Sequence, residues 1–250
     1  MNINATIKYE EIIRNTEKYL SHKANPQNVI KYSRYFKDEY DAWGNDAHDL
    51  KAVMNEINAG NPELSISHLL ELGNRLFRHG KYEMGSLAIM MIEKRLKDCD
   101  REAFDGLKLW FDHGVSNWAH ADYLCSKVTP WFLLKGIVSV EDFLPWRESP
   151  SRWSRRAAPV SFIKIKKTED PQCLLSFVEP LMTDPERVVH QGTGWFLREL
   201  WKVHPILVEE YLYKHRNTAA RLIIQYATEK LSKEERLRFR KDKRGHSNIR

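Results

Sequence analysis

Cysteine is scarce in this chain, and the three present, Cys99, Cys125 and Cys173, stand far apart. They offer neither a disulfide framework nor a CxxC pair. Long apolar runs are missing too. The longest, such as Leu87–Ile92 and Trp131–Leu134, are far too short to span a bilayer. The N-terminal MNINATIKYEE lacks a basic segment followed by an apolar one, so no secretory signal is visible and a cytoplasmic protein is expected. Glycine is sparse at 11 of 250 residues, and no stretch alternates apolar with polar side chains. That leaves strands without their signature. A heptad does not persist, which argues against a coiled coil.

What remains is helix. Residues 64–78 and 82–97 carry apolar stripes at helical spacing, through Leu69, Leu72 and Leu76 in one and Leu87, Met91 and Leu96 in the other. Pro62, Pro130, Pro150, Pro171, Pro185 and Pro205 lie at or near expected helix starts. Asp170-Pro171 and Asp184-Pro185 each offer an Asp cap followed by proline at the first helical position. About a dozen helices joined by short turns are expected. With no strand to pair, the expected fold is all-α, a curved solenoid of antiparallel helix pairs of the HEAT-like kind, with a concave basic face. A single such domain is expected over residues 1–235, followed by a basic, flexible tail over 236–250.

Charge is unevenly placed. The net charge is +6, yet residues 147–167 carry seven Lys/Arg against one acid, and residues 231–250 carry eight against three. The rest of the chain is therefore net acidic, so basic patches on an acidic body are expected. His113, His120 and Cys125 have spacing that fits no common zinc pattern. The aromatic cluster Tyr32, Tyr35, Phe36, Tyr40 and Trp43 reads as a core helix joined to a turn at Gly44, with a DNA-facing tyrosine a further option. Gly192 and Gly194 either allow a close approach or mark a helix start.

Three segments stand out: NWAHAD at 117–122, RWSRR at 152–156 and GWFLRE at 194–199. Each sets a tryptophan about one helical turn from a charged residue: Trp118 with Asp122, Trp153 with Arg156, Trp195 with Arg198. With SRWSRRAAPVSF and VVHQGTGWFLREL they resemble the AlkD-like DNA alkylation repair proteins, a HEAT-like-repeat family of DNA glycosylases. The resemblance extends more weakly through YEMGSLAIMMIEKRLK and ATEKL. It implies that Trp118, Asp122 and Trp195 line the lesion site, and that Arg156 and Arg198 lie against the DNA backbone. Arg155, beside them in the basic run, is a further DNA-binding candidate. Trp153 reads as a packing residue that aims its arginine. The chain departs from the family pattern at Ala119, commonly acidic there, and at Gln191, often lysine.

The implied activity is base excision repair. It hydrolyses the N-glycosidic bond of cationic N3- or N7-alkylated purines in duplex DNA, with the lesion left stacked and with no metal or organic cofactor. Such a base already leaves neutral, so no general acid is required. A carboxylate can instead stabilise the positive charge that builds on the sugar and position water. Indole faces add cation–π attraction of about 0.5–2 kcal/mol each. The alternatives are a non-catalytic relative that binds distorted or branched DNA, and a helical-repeat scaffold for proteins. A monomer acting on duplex DNA, with no membrane association, is expected.

Overall fold

The computed structural model describes residues 3–36 and 40–242, with side chains from residue 8 onward. Among them no strand occurs, and no helix is long and apolar enough to cross a membrane. The described residues form fifteen α-helices, more and shorter than the dozen expected, because prolines and polar caps start new helices often. Contacts divide the chain into two compact units, Met1–Val138 and Ser139–Arg250.

The first unit holds α1 (Ile3–His22), α2 (Pro26–Ser33), α3 (Ala47–Gly60), α4 (Ile66–Arg78), α5 (Tyr82–Lys94), α6 (Arg101–His113), α7 (Trp118–Lys127) and α8 (Thr129–Leu134). Side-chain caps set most of the starts. Asn25, Asp46, Ser65, Asp100 and Asn117 each accept a backbone N–H from the first turn of the helix they precede. Contacts link α3, α5 and α7 in one row and α4, α6 and α8 in another, with α4 on α5 and α7 on α8. Each helix therefore packs on the one two places along, as stacked helix pairs do. The core between the rows holds Leu72, Leu76, Leu87, Ile89, Phe104, Leu107, Trp110 and Phe132. The stripes read at 64–78 and 82–97 supply several of these residues.

One expectation fails here. The aromatic cluster at 32–43 does not form a core helix. Helix α2 ends at Ser33 and buries none of its residues, and Tyr32 and Tyr35 are exposed. Ordering comes instead from the turn at Gly44, whose φ is +85°. The buried Glu83 carboxylate accepts the backbone N–H groups of Trp43, Gly44 and Asn45 at 3.1, 2.6 and 3.2 Å.

The second unit holds α9 (Leu144–Arg147), α10 (Arg152–Phe162), α11 (Pro171–Val178), α12 (Arg187–Trp201), α13 (Pro205–His215), α14 (Arg221–Ala227) and α15 (Lys233–Leu237). Helix α12 is its centre, touching α10, α13 and α14. Asp170 caps α11 and Pro171 follows it, as the sequence predicts. Asp184 does not cap α12. That helix starts after Glu186 without a side-chain cap, and Asp184 turns to Arg155 instead. Within the segment expected to be a flexible tail, Phe239 is fully buried against Trp201 and Arg221 donates to its carbonyl at 2.8 Å. Asp242 takes hydrogen bonds from Arg216 and Asn217. The chain is thus folded through Asp242, and the rest of the expected tail lies outside the described residues.

Candidate nucleic-acid interface and lesion site

In the first unit the site is built on the start of α7. Asn117 caps the helix by accepting the His120 N–H at 2.9 Å, and Trp118 is the first helical residue. The Trp118 indole is 43% exposed. Its N–H donates to the Tyr35 carbonyl at 3.2 Å, and one ring face lies over Phe36 with centroids 5.6 Å apart at 29°. Asp122 follows one turn later on the same helix face and is half-buried. Behind them His120 is buried and stacked on Tyr82, with centroids 4.6 Å apart. The Asn117 amide fixes its tautomer: with Oδ1 used as the cap, Nδ2 donates to His120 Nδ1 at 3.0 Å. His120 Nε2–H is left to donate to the Tyr82 carbonyl at 3.0 Å. Burial lowers the His120 pKa to about 4, against a smaller opposing effect of the Tyr82 carbonyl. The ring is neutral and structural.

In the second unit, Trp195 is half-buried midway along α12, and Arg198 lies one turn on. Arg198 is ion-paired with Glu229 through Nη1, and its Nε reaches Glu199 at 3.4 Å. Glu199 also takes Lys202 at 2.6 Å and Lys166 at 3.4 Å. Burial works to raise the Glu199 pKa, but the two lysines outweigh it and hold the carboxyl below its usual range. Gln191, one turn before Trp195, donates to the Tyr226 hydroxyl at 2.7 Å.

Two arginines of α10, Arg155 and Arg156, are placed more deeply than a DNA-contacting patch suggests. Arg156 is only 6% exposed, and its Nη1 donates to the Val188 carbonyl at 2.7 Å. Gly192 makes the room: a Cβ there would stand 2.9 Å from Arg156 Cγ. Gly194 does the same for α14, where a Cβ would stand 2.5 Å from Tyr226 Cβ and 2.9 Å from the Ile223 carbonyl oxygen. Both glycines lie inside α12, so close approach is their role and the helix-start reading falls. Arg155 pairs with Asp184 through Nε at 2.6 Å and Nη2 at 3.3 Å, while Nη1 donates to the carbonyls of Ser149 and Pro150. Trp153 is buried, as a packing role requires.

Residues 16–231 match the sequence profile of the family described as DNA alkylation repair enzyme. The chain belongs to the DNA alkylation repair enzyme family. A solved structure, the predicted DNA alkylation repair enzyme from Enterococcus faecalis, shares the fold with a TM-score of 0.71 at 19% identity, over 84% of this chain and 97% of that one. No curated protein matches the chain.

In this member of the DNA alkylation repair family, Trp118 and Asp122 come together on α7, and Trp195 and Arg198 come together on α12. Much of the basic run at 147–167 is turned inward. Arg147 donates to the Phe177 carbonyl, Arg155 holds Asp184, Arg156 holds Val188 and Lys166 holds Glu199. Lys164 and Lys167 are exposed. Sequence reasoning gave no site role to three residues that shape the site, although it placed Phe36 in an aromatic cluster and Asn117 in the NWAHAD segment. Asn117 carried a visible signal, an Asn just before a helix. Phe36 and Glu229 carried none, because their partners lie 82 and 31 residues away in the chain.

Proposed function

We propose that this chain is a DNA glycosylase that hydrolyses the N-glycosidic bond of cationic N3- or N7-alkylated purines in duplex DNA. The observation that carries the reading is the pairing on α7 of a half-buried carboxylate, Asp122, with a partly open indole, Trp118, one helical turn apart. The C1′–N bond breaks and its electron pair leaves with the base, cancelling the base's positive charge. No proton has to be delivered. Asp122 stabilises the positive charge that develops on the sugar and takes a proton from the water that adds to C1′. Trp118 offers a π face to the cationic base, which remains stacked in the duplex, and Trp195 keeps the lesion-site role that the family resemblance implies for it.

Arg198 neutralises a phosphate flanking the lesion without reading sequence, whereas Arg156, 6% exposed and bonded to the Val188 carbonyl, is assigned a positioning role in place of the phosphate contact the resemblance implies. For Arg198 a phosphate takes the place of the Glu229 carboxylate. Arg155, held by Asp184 and two carbonyls, is assigned a positioning role for α10 rather than the phosphate contact read from sequence. A monomer suffices.

Release of 7-methylguanine from a methylated duplex tests the reading. The wild-type protein releases the base, and Asp122→Asn abolishes release while duplex affinity persists. Duplex binding with no base released from any alkylated substrate identifies instead a non-catalytic DNA-binding relative. Loss of duplex binding as well leaves the scaffold reading.

A further inference from the structure

Trp118 is not placed by its own helix alone. Its indole N–H is used by the Tyr35 carbonyl, and one of its faces is covered by Phe36. Phe36 in turn stacks on Tyr40, with centroids 4.4 Å apart at 17°, and meets the edge of Tyr82 at 5.8 Å and 74°. Tyr40 packs on Tyr82 at 5.2 Å. The segment that carries Tyr40 is fastened at its far end. The Tyr82 N–H donates to the Asp41 carbonyl at 2.8 Å, and Glu83 gathers the three N–H groups of residues 43–45. A Cβ at Gly44 would lie 2.2 Å from the Asn25 carbonyl oxygen, so this turn admits no side chain there. The rings Tyr40, Phe36 and Trp118 therefore form a column rooted in the first unit. With its N–H spent and one face covered, the indole has its other π face as the surface it can offer.

We propose that Phe36 is the positioning residue of Trp118, seating the indole so that its open π face meets the alkylated base. This rests on the reading of Trp118 as a lesion contact. Offset and tilted ring stacking depends on ring quadrupoles as well as on buried area. An aliphatic side chain of similar size fills the space without holding the indole's angle. The role therefore requires an aromatic ring at position 36, whereas a packing role requires only apolar volume.

Two readouts decide it, one of them independent of activity. The first is the single-turnover rate of 7-methylguanine release at saturating enzyme, set beside duplex affinity. Phe36→Leu lowers the rate about three- to tenfold with affinity unchanged within about twofold, and Phe36→Tyr restores the rate. The second is hydrogen exchange of the Trp118 indole N–H, its resonance assigned by its loss in Trp118→Phe. Exchange quickens at least about fivefold in Phe36→Leu and stays at the wild-type rate in Phe36→Tyr. Phe36→Met serves as the ring-free variant if Leu does not fold. Equal behaviour of the Leu and Tyr variants in both readouts overturns the proposal and leaves Phe36 as packing. If the wild-type protein releases no base, the glycosylase reading fails, and indole exchange alone still decides whether Phe36 seats Trp118.

Discussion

His120 shows how one side chain in a functional segment can be wholly structural. It sits between Trp118 and Asp122 in the chain, yet points the other way, into a box of Tyr82, Phe77, Ser86 and Asn117. Its pKa of about 4 lies below the ordinary 6.5. A histidine with a depressed pKa stabilises the fold fully above its unfolded value. That stability drains as pH falls from about 6.5 toward about 4, because the unfolded chain takes up the proton first. The contribution is about 3 kcal/mol. Urea unfolding is thus expected to show a midpoint that drops across this window, and His120→Gln should flatten the drop. An unchanged slope in the variant assigns the acid sensitivity to other groups. None of this burial was visible in sequence, since the enclosing rings come from α4 and α5. Trp118 and Asp122 were legible because their relation is local, a spacing of four on one helix. The partner of Arg155 was not legible, because Asp184 looks from sequence like the cap of the next helix.

At the scale of elements, α12 carries the most constraint for its length. Its Trp195 and Arg198 occupy one face, and its two glycines admit α10 and α14 on others. Alanine at position 194 gains up to about 1 kcal/mol in helix propensity. It also drives a Cβ against the backbone of α14, at an overpacking cost of about 1–3 kcal/mol. Gly194→Ala is accordingly expected to lower the unfolding midpoint. An increase shows that α14 yields without cost. The ion pair of Arg198 with Glu229 gives a second outcome on this helix. If a phosphate replaces that carboxylate, Glu229→Gln tightens duplex binding and Arg198→Ala weakens it. Arg198→Ala should also reduce the slope of log affinity against log salt by about 0.9, the loss of one phosphate contact. An unchanged slope removes Arg198 from the DNA. Caps and prolines announced many helix boundaries correctly, Asp170-Pro171 among them. Helix α2 defeated the reading, because an aromatic-rich helix suggests a core while its rings here lie outside it or just beyond its end.

For the molecule as a whole, the missing strand pattern was enough to specify an all-helical chain, and three tryptophan segments were enough to specify the family. The distribution of charge was less legible. A local +6 at 147–167 reads as a patch, but five of its seven cations reach carbonyls or carboxylates of their own unit. Such pairing depends on residues about 30 positions away and leaves no local trace in sequence. In the proposed glycosylase reaction what matters is how the base leaves rather than how DNA is held: positive charge on the purine takes the place of a general acid. Its most direct test is single-turnover base release from two duplexes identical except for the lesion, one carrying 7-methylguanine and the other the neutral O6-methylguanine. The expected result is release of 7-methylguanine and none of O6-methylguanine. Release of both at similar rates, or of neither, would contradict it.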